Sequence, residues 1–408
     1  MKDFIVFIKE NFRKLSFGWT LTFLSSFGQT YLISLYVTEI SSEFAITEGT
    51  FGAIYAICTV LASFIMLTVG HTVDHISVKK VTAFTIICLA FSSILMGISY
   101  HLALVFISLV GLRLAGQGML SHISMTILSK FYDKNRGKAL SFSTLGFSSG
   151  EIVLPLLLAF FIAWFDWRWS LIGSGILLLL YLIRLYFTDL NHFNKQLSVG
   201  RPSSSSLVKD FGSIIKDKRF LILMPTSFAI SFTATAVIFY QYVFVAQKGW
   251  SPQLYAAFFT GYAITRLIFS LAGGLWVDKF TAKKMFRFYL IPISIGLLAF
   301  ALVESIFGAL TFLLMMGITV GMSGTIKSSI LAEVYGIEKL GAIRSLFTMF
   351  MVVSTALGPL IVGWMIDGGL SIETIMLSLF VFLVFCTLNA QRIKGIQTIS
   401  EVNNLTNT

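Results

Sequence analysis

Twelve apolar runs, each about 20 residues or longer, leave this chain few ways to fold. They cover residues 17–38, 50–71, 79–99, 102–129, 138–162, 169–188, 221–246, 252–276, 284–303, 307–332, 341–364 and 372–391. Hydrophobic residues make up 56% of the chain and charged residues only 12%, against roughly 25% charged in a soluble domain. A water-soluble fold of 408 residues cannot hide that much apolar surface, so the bilayer has to be the solvent. The runs are too long for barrel strands and lack their alternation, which predicts spanning α-helices. The fold class expected is an all-α membrane protein with 12 transmembrane helices.

Charge in the polar breaks sets the expected orientation. The N-terminus and the even-numbered breaks carry the basic residues, among them Lys79, Lys80, Lys130, Arg136, Lys138, Lys209, Lys216, Lys218, Lys283, Lys284 and Arg344. The odd-numbered breaks hold Glu39, Glu43, Glu48, Asp166, Glu304, Asp367 and Glu373 against only Arg168 and Lys248. Both termini are therefore expected in the cytoplasm, and a bacterial cytoplasmic (inner) membrane is the expected location. The net charge of +11 is spread over short loops, with no long basic arm, so no nucleic-acid partner is expected. Lys2, Lys9, Arg13 and Lys14 precede the first run without a small-residue cleavage site after it, which reads as an uncleaved first span. Cys58, Cys88 and Cys386 fall inside apolar runs with no paired or metal-type spacing.

The chain also repeats itself. Gly70, Asp74, Lys79 and Lys80 recur as Gly274, Asp278, Lys283 and Lys284, each pair 204 residues apart, half the chain length. Gly137 and Gly341, and Pro155 and Pro359, keep the same offset. The break at 189–220 contains Gly200-Arg201-Pro202 followed by four serines, and reads as a flexible cytoplasmic linker. It divides the chain into a bundle at 1–188 and a bundle at 221–408, each with six helices. Six is even, so the two copies share one orientation, as parallel repeats do.

Twelve spans in two parallel six-helix halves, with this turn in both, resemble the major facilitator superfamily of secondary transporters. The family's turn reads G-x-x-x-D-R-x-G followed by basic residues. Gly70 and Asp74 match it, with His75 in place of the arginine and Ser77 in place of the second glycine. Gly274, Asp278 and Lys279 match in the second copy, with Thr281 for the glycine. Arg113-Leu114-Ala115-Gly116-Gln117-Gly118 resembles the family's fourth-helix motif. Arg136-Gly137-Lys138-Ala139, running on to Gly146, Gly150 and Pro155, is similar to a stretch of monocarboxylate transporters and oxalate–formate exchangers. The resemblance implies alternating access, with the turn residues Gly70, Asp74, Lys79, Lys80, Gly274, Asp278, Lys283 and Lys284 acting as a gate.

An ionisable group inside a span is a functional candidate because hydrocarbon penalises it. Arg113, Glu151 and Arg266 lie roughly 16–20 Å from a helix end at 1.5 Å rise per residue, near the bilayer middle. Arg266 stands alone in Ala263-Ile264-Thr265 and Leu267-Ile268-Phe269, and its planar fork suits a carboxylate. Organic-anion members of the superfamily carry an eighth-helix arginine for that purpose, a role the resemblance extends to Arg266. Arg113 is expected to face Glu151, either as a structural pair or as part of the substrate and proton machinery. Lys327, on a small-residue polar face, is a second anion contact, a gate, or a lysine snorkelling to the interface. His122, nearer the cytoplasmic third, is a candidate proton relay or a packed histidine. Gln29, Thr30, Tyr31, Thr233, Thr235, Tyr240 and Gln241 supply hydrogen-bonding groups in the first and seventh spans, or hold helices together.

The function expected is secondary active transport of a small organic anion, a carboxylate, by proton symport or anion exchange. The alternatives are efflux of hydrophobic or cationic compounds by proton antiport, and a membrane sensor of the same fold. No hydrolase, metalloprotease or phosphate-loop motif occurs, so neither an enzyme nor a cofactor or metal is expected. The partners expected are the solute, a proton or counter-anion and membrane lipid, with the protein itself a monomer.

Overall fold

The computed structural model describes residues 2–132, 135–194, 215–336 and 340–396; the side chains of 2–5, 74, 278, 340–342 and 345 lie outside that set. Most of the expected linker, 195–214, also lies outside it. All regular structure among the described residues is helical. Eleven helices there are long and apolar enough to cross a membrane.

In chain order the long helices are α1 (Lys2–Leu24), α2 (Glu48–Val69), α3 (Val78–Gly97), α4 (Leu102–Phe131), α5 (Arg136–Trp164) and α6 (Trp167–Phe187). The second set is α7 (Lys218–Gln247), α8 (Pro252–Phe280), α9 (Ala282–Leu302), α10 (Ile306–Tyr335), α11 (Leu340–Asp367) and α12 (Ile372–Ala390). Their starts repeat at the spacing of the turn motif. Helices α8, α9, α10 and α11 begin at 252, 282, 306 and 340, against 48, 78, 102 and 136 for α2 to α5.

Hydroxyl caps explain this register. The Thr47 side chain accepts the Thr50 amide at the start of α2, and Ser251 accepts the Leu254 amide at the start of α8. Ser77 and Thr281 do the same for Lys80 and Lys284 ahead of α3 and α9. Each pair of caps keeps the offset of 204. The caps fix where each span leaves the polar break, and the apolar run fixes where it ends.

The chain splits into two compact units, Met1–Arg201 with Ile238–Val243, and Pro202–Val237 with Phe244–Thr408. Within the first, α1 packs on α5 and α3 on α6. Within the second, α8 packs on α10 closely because Gly317 and Gly321 present no side chain. A Cβ on Gly317 would lie 2.9 Å from the Tyr262 carbonyl, and one on Gly321 2.6 Å from the Arg266 carbonyl. Exposed residues such as Phe64, Leu67, Phe84, Phe91, Leu271, Val381 and Phe385 make the outward faces apolar, as contact with lipid requires.

The span expected at 17–38 departs from the rest. It is interrupted after Leu24 by a 3₁₀ turn (Ser25–Gly28), an extended Gln29 at φ −83° and ψ 150°, a helical turn (Thr30–Ile33), a second 3₁₀ turn (Ser34–Tyr36) and a short helix (Val37–Glu43). The equivalent stretch of α7, 229–240, is unbroken. The middle of α4 also differs from its copy. Leu112–Leu120 is wound as a π-helix, whereas α10 is α-helical throughout.

Candidate functional site

Both irregularities of the first unit meet at Arg113. Gly28 and Gly116 let the broken first span and the π-helical stretch approach backbone to backbone: a Cβ on Gly28 would lie 2.0 Å from the Leu112 carbonyl oxygen and 2.7 Å from Gly116 Cα. The break also frees an acceptor. The amides of Leu32 and Ile33 both donate to the Gln29 carbonyl, so the Gly28 carbonyl is left to receive Arg113 Nη1 at 3.1 Å. Nη1 reaches the Thr30 hydroxyl at 3.4 Å, and Nε donates to the Thr59 hydroxyl at 3.2 Å. The guanidinium lies over the Tyr55 ring, 4.8 Å from its centroid. The Tyr55 hydroxyl is 2.7 Å from that of Thr30.

Arg113 is 2% exposed. Its Nη2 is buried and has no hydrogen-bond partner. Among the described residues Arg113 makes no ion pair, so the expected pairing with Glu151 is not seen. Neutral oxygens from the first span and α2 take up Nε and Nη1 instead, because the helix break supplies them at the right place. Glu151 is 5% exposed on α5, next to Gly150, where a Cβ would meet Ser26 Oγ at 2.1 Å and the Tyr31 hydroxyl at 3.1 Å. At Gly150 its helix therefore borders the same interrupted segment from another side.

A second layer comes from the part of α7 that belongs to the first unit. Phe239 packs on Tyr55 and Phe51, with centroids 4.4 and 5.9 Å apart. The Tyr240 hydroxyl donates to the Glu48 carbonyl at 3.0 Å. Gln241 Nε2 donates to Ser34 Oγ at 2.8 Å, while its Oε1 is buried without a hydrogen bond. Gln29 is half-buried and Tyr31 buried in the interrupted span.

The remaining candidates lie elsewhere. His122 Nε2 is 3.2 Å from the Gly70 carbonyl, which accepts its hydrogen and so fixes the tautomer. Lys79 donates to the Tyr186 carbonyl at the end of α6, and Lys80 is exposed. In the second unit, Arg266 is half-buried on α8, its backbone against Gly317 and Gly321. Lys327 on α10 is half-buried, with Nζ 3.7 Å from Met351 Sδ and no carboxylate partner among the described residues. Thr235 is half-buried on α7. The Lys283 amide and that of Ala282 donate to the Glu333 carboxylate at 3.2 and 3.0 Å. The side chains of Asp74 and Asp278 lie outside the described residues. Arg113 and Arg266 thus belong to different units.

Tyr55 and Thr59 are the contacts that sequence reasoning missed. They sit four residues apart in an otherwise apolar run, which puts two polar groups on one helix face.

The family model for the Major Facilitator Superfamily matches residues 18–259 and 228–393. The chain belongs to the Major Facilitator Superfamily. This superfamily member is thus a multi-pass membrane transporter and not an enzyme, as the repeated turn and the twelve runs implied. A bacterial homologue of the human lysosomal transporter Spinster, in an inward-facing and unoccupied conformation, shares its fold at a TM-score of 0.73 and 14% identity, over 94% of this chain and 97% of that one. The nucleoside transporter NupG does so at 0.73 and 15%, over 94% of this chain and 99% of that one. The Multidrug resistance protein B homolog of Mycobacterium tuberculosis (strain CDC 1551 / Oshkosh) is 26% identical over 134 residues. That match spans 33% of this chain and 25% of the relative.

Proposed function

We propose that the chain carries a small organic anion, a carboxylate, by alternating access, with Arg113 as an anion contact. The observation that carries this reading is the buried Nη2 of Arg113, which has no hydrogen-bond partner on a guanidinium that has no ion pair among the described residues. A cation held only by neutral acceptors in a dry place is poorly compensated. An incoming carboxylate supplies the missing negative charge and accepts from Nη2. Lys327, which also has no carboxylate partner among the described residues, supports the same sign of cargo from the second unit. Arg266, Gln29, Tyr31, Thr235 and Tyr240 complete the proposed set of solute contacts.

Glu151 and His122 are the proposed proton carriers, with exchange of one anion for another as the alternative drive. The two turns, Gly70 to Lys80 and Gly274 to Lys284, act as gate elements in this reading. Both termini are assigned to the cytoplasm from the distribution of lysine and arginine among the breaks, in a cytoplasmic membrane, with the protein acting as a monomer.

Carboxylate uptake into proteoliposomes tests the reading. Arg113→Lys keeps the charge but loses the fork, and should cost about 10- to 100-fold in apparent affinity, the scale of one charged hydrogen bond. Arg266→Ala and Arg266→Lys test the second cation. Unchanged carboxylate transport in all three variants sinks the site. Efflux of hydrophobic or cationic compounds is the second reading, favoured by the partial likeness to the Multidrug resistance protein B homolog. It predicts thermal stabilisation of the purified protein by lipophilic cations and none by carboxylates.

A further inference from the structure

At the junction of α8 and α9 the second unit forms a basic cavity of about 270 Å³, lined by Thr281, Lys283, Lys284, Arg287 and Lys394. Four of the five lining residues are cationic, and no acid lines it among the described residues. The Glu333 carboxylate takes the amides of Ala282 and Lys283.

The arrangement is built, not incidental. Lys394 sits on the 3₁₀ turn Gln391–Gly395 after α12. That turn is tied to α9 by a reciprocal pair: Arg287 Nε donates to Gln391 Oε1, and Gln391 Nε2 donates to the Arg287 carbonyl, both at 2.8 Å. Thr281 turns the chain at φ +68° and caps the Lys284 amide, which sets Lys284 at the rim.

The surface beside the cavity is apolar. Phe280, Phe288, Ile291 and Ile295 are all exposed. Phe288 lies in the turn 287–290 that interrupts α9, and Ile291 and Ile295 follow four residues apart on the helix beyond it, so an exposed hydrocarbon row starts beside the cations. Lys284 Nζ stands 5.8 Å from the Phe280 centroid, and the Arg287 guanidinium 4.9 Å from that of Phe288. Cations above an exposed apolar row match a ligand with an anionic head and an acyl tail, and basic pockets at helix ends bind such heads. A free anion would use the cavity but not the row.

We propose that this cavity seats the headgroup phosphate of an anionic phospholipid, with an acyl chain along Phe288, Ile291 and Ile295. The site is separate from the solute contacts, and its test does not depend on them. Native mass spectrometry of the full-length protein, loaded from mixed micelles with phosphatidylglycerol or phosphatidylcholine of equal chain length, reads the occupancy. The wild type should retain phosphatidylglycerol preferentially. Lys284→Gln with Lys394→Gln, both at exposed positions, should lower that retention roughly 25-fold, about fivefold per charge. Lys284→Arg with Lys394→Arg should keep it, which separates charge from a folding defect. Equal retention of the two lipids, or unchanged phosphatidylglycerol in the Gln variant, overturns the proposal. Displacement of the lipid by millimolar inorganic phosphate also overturns it, in favour of a free-anion site.

Discussion

Replacing Gly28 by alanine tests whether the contact between the interrupted span and α4 holds Arg113 in place. The added Cβ would sit 2.0 Å from the Leu112 carbonyl oxygen, 2.7 Å from Gly116 Cα and 2.8 Å from the Gln117 amide nitrogen. All three are backbone atoms, so no side chain can swing aside. Ordinary contact is about 3.5 Å, so the two backbones must part by more than about 1 Å. Overpacking of this kind costs about 1–3 kcal/mol. Parting also stretches the 3.1 Å bond from Arg113 Nη1 to the Gly28 carbonyl, a charged hydrogen bond worth about 1.5–3 kcal/mol. Together these give a loss of about 2.5–6 kcal/mol. At about 2–4 °C per kcal/mol for a unit of this size, the melting temperature in detergent should fall by about 5–24 °C.

Gly274→Ala is the control. A Cβ there meets nothing within 4 Å, and the residue lies inside α8. Alanine in a helix interior gains about 0.5–1 kcal/mol over glycine, so this variant should melt slightly higher. Size-exclusion chromatography after a temperature series reads both. A Gly28→Ala melting point within about 1 °C of wild type would refute the reasoning, as would an equal drop in Gly274→Ala.

Two further outcomes can be measured the same way. Burial pushes the Asp217 carboxyl up, but the hydrogen bonds from the Arg219 side chain and amide outweigh it and hold the carboxyl below its usual range. A depressed folded value means stability that is present above about pH 3.9, the unfolded value, and is lost as pH falls through the folded one. Asp217→Asn should therefore lower stability by under about 1 kcal/mol near neutral pH and match wild type in strong acid. Glu373→Lys sets two lysines together where Lys248 now bridges Glu373, and should cost about 1 kcal/mol. Adding Lys248→Glu should recover most of that loss, and a double variant no better than the single one would count against the bridge.

How much was legible follows from what each signal reports. The starts of several spans were readable because the apolar runs begin within a few residues of the hydroxyl caps Thr47, Ser77, Ser251 and Thr281 that the structure shows. The break after Leu24 was not. No proline marks it, and Gly28 and Gln29 are common in helices that do not break; it depends on Gly116, nearly 90 residues away, offering a bare backbone to pack on. Arg113 was readable as a buried cation, but its partners were not. A carboxylate is the expected neighbour of a buried guanidinium, and only the break shows why the Gly28 carbonyl, Thr30 and Thr59 take that place. Arg168 and Lys248, the two bases in acidic breaks, make sense once Arg168 is seen on Glu43 and Lys248 on Glu373.

Those two bridges occupy similar places in the two halves without being copies of one contact. At the repeat offset of 204, Glu43 corresponds to Gln247 and Arg168 to Ile372, yet each bridge ties the break after a half's first span to the start of its last helix. The membrane-buried arginines are not copies either. Arg113 on α4 corresponds to Gly317 on α10, and Arg266 on α8 corresponds to Ala62 on α2, so neither looks repeated when the halves are aligned. In space each arginine lies at the same seam of its own unit: Arg113 reaches from α4 to Thr59 of α2, and Arg266 lies on α8 with its backbone against Gly317 of α10. The two cations thus sit on different helices of corresponding pairs. What cannot be exchanged is the backbone around Arg113. The counterpart of Gly28 is Phe232, inside the unbroken α7, where the helix gives no reason for a carbonyl to turn toward a guanidinium. The setting of Arg113 therefore rests on two departures from the repeat, the break after Leu24 and the π-helical turn of α4.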